Sequence, residues 1–404
     1  MKYRQQAIFI VLILTLISLL LSRVALSVCV MLFIALTCFH SDWRRQLKTW
    51  VQTPFLLGIS ALFFIPMVSG WWSANLAEWS ADLRLKLPLL FFPIAFAGNW
   101  QLTPKQWKWL AVVFLAVVFG GAGWSLLQYL SNTAVHNAAV LRSTLFPTPL
   151  DDDHVRFSWL VSVAVLTLFL LWESVAGLAR IALVFLALFF IAYLHVLAAR
   201  TGLLVLYLVL AAIIIRTITR RSLQASLAVG LVALLLPAIA WYTLPTFQNR
   251  IKYMRYDFSY LQNGSYLPGS NDGNRIFSLK AGYSIIAAQP FGVGSGDFKA
   301  AVDQWYERTM PRILPPDKVF PSSEVLVYGG TAGWLGMTAF AIIMWLPFRL
   351  RLPHRFYWMI LNMAMLILLL FDIGLEVQYG VFLYSFLLLW WWKWLPVYLR
   401  STTP

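Results

Sequence analysis

The sequence predicts an all-α, polytopic membrane protein: about 12 transmembrane helices and one large outer loop that contains helices of its own. Three observations carry this. Of 404 residues, 60% are hydrophobic and only 12% charged, whereas soluble globular chains carry about 45–50% apolar and about 25% charged residues. Mean hydropathy is +0.74. Apolar runs close to the roughly 20 residues that a spanning helix needs recur along the chain, separated by short polar connections. This composition excludes a soluble enzyme, a disordered chain and a secreted disulfide scaffold.

The apolar runs lie at residues 7–21, 24–39, 55–70, 83–98, 110–130, 156–172, 178–198, 201–215, 223–244, 323–348, 356–371 and 373–396. The first follows Lys2 and Arg4, as a signal sequence would. No small-x-small cleavage site comes after it, and the next run begins almost at once, so it reads as a retained first span. With the N-terminus cytoplasmic, the cytoplasmic connections hold Arg44, Arg45 and Lys48, then Lys105 and Lys108, Arg180, Arg216 with Arg220 and Arg221, and Arg349 with Arg351 and Arg355. Their acids are Asp42 and Glu173. The positive-inside rule is then satisfied throughout, with both termini inside. Most of the net charge of +15 is explained without nucleic acid. The chain divides into nine spans over 1–244, an outer loop over 245–321 and three spans over 322–404. The 20 Trp and 16 Tyr are expected at the two membrane interfaces.

The loop is the one sizeable extramembrane segment. Residues 274–289 carry Ile276, Leu279, Tyr283 and Ile286 at helical spacing, which predicts a helix that buries this stripe. FGVGSGDF (291–298) makes a tight turn, where Ser295 or Asp297 is expected to cap the next helix. NGSYLPGSNDGN (263–274) reads as a turn-rich, mobile connector. Cys29 and Cys38 are nine residues apart; on a helix that is about 13 Å of rise, beyond disulfide reach. With no metal-ligand spacing near them, they read as small buried side chains.

Ionisable residues at span ends are costly and so are functional candidates. Arg84 and Lys86 enter the fourth span, His154 and Arg156 the sixth, and Arg200 lies between the seventh and eighth. Arg275 opens the loop helix, Glu324 enters the tenth span, and Asp372, Glu376 and Gln378 lie between the last two. Each alone is explained by snorkelling or local pairing, and Arg23 and Arg142 are read that way. As a set, cations from unconnected segments reach one face at one depth. Such convergence calls for an anion, and at a membrane surface that is a phosphate or diphosphate. A glycan on a lipid diphosphate has a leaving group that such cations would stabilise while a hydroxyl attacks the anomeric carbon. Neither GxxxxGK[ST] nor a strand-associated GxGxxG is present, and GVGSG fits neither. A transporter of anionic or lipid-linked glycan is the alternative from another class. Its usual inverted repeats are not evident, and the ionisable groups gather at one face.

LRLKLPLLFFP (83–93), DHVRFS (153–158), AARTGLL (198–204), NRIFSLKAGYSIIAAQPFGVGSGDF (274–298) and SSEVLVYGGTAGWLGM (322–337) together resemble the O-antigen ligase / O-antigen polymerase superfamily of bacterial membrane glycan transferases. The resemblance runs over nearly the whole chain. It implies a GT-C-like helical fold in the bacterial inner membrane, with the site facing the periplasm. It also implies transfer of a glycan from undecaprenyl diphosphate, without metal, nucleotide or other cofactor. In ligases the acceptor is a sugar of the lipid A core; in polymerases it is another lipid-linked repeat unit. The family's basic positions correspond to Lys86, Arg156, Arg200 and Arg275, with Arg84, Ser322 and Ser323 beside them as expected substrate contacts. One departure stands out. The family's histidine, followed by a polar residue, nine residues and Gly-x-x-Gly, aligns with Ser322-Ser323 and Gly333-x-x-Gly336, so a serine stands where the family carries its base. Glu324 is the first expected substitute, His154 the second and Asp272 the third.

Overall fold

A computed structural model describes residues 2–141 and 144–398; Arg142 lies outside the described residues. Among these, the regular elements are helices: 17 α-helices and one 3-10 turn. The first half runs α1 (Lys2–Leu21), α2 (Arg23–Cys38), α3 (Trp43–Gln52), α4 (Pro54–Ser69), α5 (Leu76–Ala97), α6 (Pro104–Ser131) and α7 (Thr133–Val140). Then come α8 (His154–Trp172), α9 (Leu178–Leu197), α10 (Arg200–Thr219) and α11 (Leu223–Thr243). The loop segment holds α12 (Pro245–Gln262), α13 (Asp272–Ala288), α14 (Phe298–Thr309) and the 3-10 turn Pro315–Asp317. The chain closes with α15 (Glu324–Arg349), α16 (Arg355–Phe371) and α17 (Gln378–Tyr398).

All twelve apolar runs form helices, but the last, read as 373–396, becomes helical only at Gln378; its first five residues belong to a turn. Seven helices are long and apolar enough to cross a membrane unaided (α1, α6, α8, α9, α10, α11 and α15), and α2 with α3, bent by 105° at their junction, makes an eighth. The others fall short for local reasons. α4 and α16 have 16 and 17 residues; 16 residues rise about 24 Å, less than the roughly 30 Å hydrocarbon core. α5 carries Glu78, Asp82, Arg84 and Lys86 in its first half, and α17 is rich in Trp and Tyr and holds Lys393. The protein is therefore a multi-pass, all-helical membrane protein.

Helix ends follow the sequence. Thr103 and Gln106 form a capping box ahead of α6, with Pro104 in its first turn. Asn75 caps α5 through the Glu78 amide, and Asp153 caps α8 through the Arg156 amide. The chain reaches Asp153 through three consecutive residues with positive φ, Leu150, Asp151 and Asp152. A non-glycine residue held there costs about 1–3 kcal/mol, and the bend delivers the start of α8 to the site described below.

α8 and α17 form the centre. Trp159, Leu160, Val161 and Leu166 on α8 are fully buried. On α17 the i, i+4 series Phe382, Phe386, Trp390 and Trp394 makes a continuous ring column, with Phe382 on Phe386 at 4.9 Å and Trp390 on Trp394 at 5.7 Å. Seven Trp side chains, including Trp390, Trp391 and Trp394, are fully buried. These belong to the helix-packing core, not to interface belts. Cys29 and Cys38 are free thiols.

Three loop expectations change. On α13, Ile286 of the expected stripe is buried, but Ile276 (36%), Leu279 (37%) and Tyr283 (60%) keep much of their surface exposed, while Gly273, Ser278, Ala281 and Gly282 are buried. Close approach decides this: a Cβ on Gly282 would lie 3.1 Å from Pro321 and 3.2 Å from Leu326, so the small-residue face packs. The turn-rich connector is anchored. Asp257, fully buried, accepts from Ser270 and from the amides of Asn271 (2.9 Å) and Asp272 (2.8 Å). Asp317 accepts from Tyr266, the Gly269 amide and Asn274. Two carboxylates thus satisfy donors at the start of α13. Finally, Asp297 stands at the N-cap position of α14 but makes no side-chain capping bond there; its carboxylate accepts from the amides of Ala74 (2.6 Å) and Asn75 (3.0 Å).

That last contact belongs to a clamp. α15 is broken at Ala332 and Gly333, where φ is +64° at the glycine. Pro290–Gly294 fills the break: Val293 N donates to Gly330 O, Gly294 N to Thr331 O, and Trp334 N to Pro290 O. A Cβ on Gly333 would lie 1.8 Å from Pro290 O, and one on Gly292 2.6 Å from the Gly333 nitrogen. Ser295 N bonds Ser69 and Gly296 N approaches Ser73, both at the end of α4. GVGSG is therefore a backbone-to-backbone joint between the loop and the helix bundle.

Candidate functional site

Four helix starts, the middle of α5 and one turn meet at a single place. The turn is residues 371–376, between α16 and α17. Arg275, in the first turn of α13, donates to Phe371 O at 3.2 Å. Arg156, in the first turn of α8, donates to Ile373 O at 2.7 Å and to Asp153 at 2.7 Å, and lies 3.5 Å from Asp372. Glu324, the first residue of α15, accepts from the Leu375 amide. Lys86 on α5 lies 2.6 Å from Glu376 and 2.6 Å from Asp82. Arg200, the first residue of α10, pairs with Asp272, the first of α13. Lys86, Arg156, Arg200, Arg275 and Glu324, drawn from unconnected segments of the sequence, thus form one cluster.

The members differ in what they leave free. Lys86 is buried and matched by two carboxylates, with Tyr328 beneath its ammonium. Glu324 is fully buried; one oxygen holds Leu375 and the other has no partner. It anchors the turn and is closed to solvent. Arg200 and Asp272 are about a quarter exposed. Arg275 is half-buried: burial pushes its guanidinium down, the Arg200 charge adds to that, and Asp372 and Asp272 oppose it. His154 is half-buried, within electrostatic reach of Arg250 and Asp372. Ser322 is tied to α13 through Ser278, its amide donating at 3.1 Å, and Ser323 is buried beside it. Arg84 does not join. It is exposed, and its Nε returns to Ser80 O one turn back.

Arg250 on α12 escaped the sequence reading. It is only 5% exposed, and its Nε and Nη1 have no hydrogen-bond partner. Burial pushes it down to about 10, and Arg200 and Arg275 add to this while Asp272 opposes it. It therefore stays charged at neutral pH, next to two other guanidiniums. The signal was helical register. Arg250, Tyr253 and Asp257 share the buried face of α12, while Lys252 and Arg255 are exposed. Without knowing which face packs, the three cations looked alike.

Arg156, Arg200, Arg250 and Arg275 are partly matched by Asp153, Asp272 and Asp372. The first turns of α8, α10 and α13 add their own partial positive charge. An anion held here would meet guanidinium forks and the partial positive charge of these first turns together. On the other side of the turn, a cavity of about 390 Å3 is lined by Asp82, Lys86, Phe320, Thr331, Ile373 and Glu376, among others. Among the described residues, no group of three or more His, Cys, Asp or Glu is placed to hold a metal ion.

Residues 185–341 match the family model described as O-antigen ligase. The matched segment includes Arg200, Arg250, Arg275, Ser322 and Glu324. No curated protein matches the chain. The O-antigen ligase and polymerase family comprises membrane glycosyltransferase-like enzymes that act on lipid-linked glycans and lipid acceptors, which fits a multi-pass helical protein with a cation cluster at its helix ends.

Proposed function

We propose that this protein is a ligase of that family. It would transfer a glycan from undecaprenyl diphosphate to a sugar of a lipid A-core acceptor, at the periplasmic face of the bacterial inner membrane. The observation that carries the reading is the buried, half-unpartnered guanidinium of Arg250 beside Arg200, Arg275 and Arg156, with three helix N-termini at the same place. A buried donor without an acceptor is costly, and like charges so close are costlier. A diphosphate relieves both.

The chemistry follows. As the bond from the anomeric carbon to the diphosphate breaks, charge grows on the leaving oxygens. Guanidiniums already fixed around them stabilise the transition state more than the ground state. Arg presents two parallel donors to each phosphate, which an ammonium does not. Lys86, matched by Asp82 and Glu376, would act on the site through Glu376 instead of binding the donor directly.

The deciding experiment is the lipopolysaccharide of a deletion strain. Loss of long glycan from lipid A, with lipid-linked polymer still present, supports the ligase. Accumulation of single lipid-linked repeat units would make it a polymerase, and unchanged glycan would defeat both. Orientation is tested with a reporter active only in the periplasm: active when fused near residue 265, inactive near residue 218.

A further inference from the structure

Glu376 is the carboxylate that the cation cluster leaves facing open space. The 371–376 turn has two sides. Arg275 and Arg156 hold it at Phe371 O, Asp372 and Ile373 O. At its other end Glu376, with 16% of its side chain exposed, lines the 390 Å3 cavity together with Asp82, Lys86, Thr331, Phe320 and Lys299. That volume suits a small-molecule site, about 300–1,000 Å3. Its walls combine carboxylates, ammonium groups, a hydroxyl and an aromatic ring. Such a set accepts from and donates to the hydroxyls of a sugar ring and covers one of its faces.

We infer that Glu376 is the general base of the transfer, and that this cavity receives the hydroxyl-bearing sugar of the acceptor. The inference rests on the glycan-transfer reading above. A Glu376 oxygen takes the proton of the acceptor hydroxyl. The hydroxyl oxygen forms the new bond to the anomeric carbon, and the bond from that carbon to the diphosphate breaks, its electron pair leaving with the diphosphate. Direct displacement needs base and leaving group on opposite sides of the carbon. Glu376 ends the 371–376 turn, whose other end Arg275 and Arg156 hold.

The surroundings suit a base. Lys86, 2.6 Å away, favours the ionised carboxylate. Burial pushes Glu376 above the usual carboxylate range, with Lys86 opposing and Asp82 adding. Asp82 comes from α5, and Glu324 and Tyr328 face it from α15. A base whose proton affinity is raised by burial is better matched to neutral pH than an exposed carboxylate. Glu324 does not fit the role, because it is fully buried and committed to Leu375. Lys86 then serves as a positioning residue for Glu376.

The test uses the full chain in lipid nanodiscs, with a synthetic polyprenyl-diphosphate-linked saccharide as donor and core-only lipopolysaccharide as acceptor. Glu376→Gln is expected to lower kcat by about 10²–10⁴-fold, to leave donor binding unchanged and to abolish the acid limb of the pH–rate profile. Glu376→Asp should keep part of the rate and the limb. Wild-type kcat with an intact acid limb in Glu376→Gln would overturn the inference and leave the transfer reading standing. A wild-type protein that binds no donor and forms no product would overturn the transfer reading itself. If Glu376→Gln does not fold, Glu78→Trp decides. Glu78 lies exposed on the cavity's lining, so a Trp there should raise the acceptor KM and not the donor KM. An unchanged acceptor KM would refute the assignment of the cavity.

Discussion

Replacing Arg250 by Met separates a ligand-binding arginine from a structural one. In the empty protein its Nε and Nη1 are buried and unpartnered. An unsatisfied buried donor costs about 1–3 kcal/mol, and replacing buried charge by an apolar side chain of similar size is often neutral or stabilising. Arg250→Met should therefore fold at least as stably as wild type without donor. With donor the order reverses. One lost charge-assisted contact costs about 1.5–3 kcal/mol, or about 10–150-fold in affinity or transfer rate. Thermal unfolding of purified protein, with and without a polyprenyl diphosphate, reads both effects: a Tm at or above wild type in the empty state, and a smaller ligand-induced rise. A variant that is less stable when empty yet gains the full rise with ligand would refute the reasoning and make Arg250 a packing residue.

Other outcomes follow from the same contacts. Glu324→Gln should lower folded yield or Tm, because Oε1 carries the Leu375 amide, while purified protein keeps the wild-type pH–rate profile; loss of the acid limb would restore Glu324 as the base. Gly292→Ala should destabilise the joint at the α15 break, since its Cβ would meet backbone at 2.6 Å, and limited proteolysis should cut the 245–321 loop faster; unchanged cleavage would mean the joint does not hold the loop. At the opposite end, burial would raise Glu173, but His354, Arg216 and Arg220 hold it down at about 2. A depressed carboxylate contributes stability that is present above about 4.5 and lost as pH falls toward about 2. Unfolding across that window should be steeper in wild type than in Glu173→Gln, and equal slopes would remove Glu173 from the acid sensitivity.

The sequence alone determined the class of fold and singled out charged residues that the structure gathers at one turn. Apolar runs specify helices because a chain in hydrocarbon must satisfy its backbone internally, and every such run forms a helix, the last only from Gln378. Lys86, Arg156, Arg200, Arg275 and Glu324 stood out because charge at a span end is expensive wherever it occurs. Tertiary structure decided what each charge does. Whether Glu324 faces substrate or seals a turn depends on Leu375, 51 residues away. Whether Arg250 matters depends on which face of α12 packs, and the exposed Lys252 and Arg255 beside it carry the same charge. The apolar stripe of α13 misled because Gly273 and Gly282 allow a closer approach than Ile276 and Tyr283 would, and burial follows the face that can come closest. Helix periodicity and charge are local properties of the chain. Pairing, exposure and free hydrogen-bonding capacity are set by neighbours distant in sequence, so they exist only once the helices have packed.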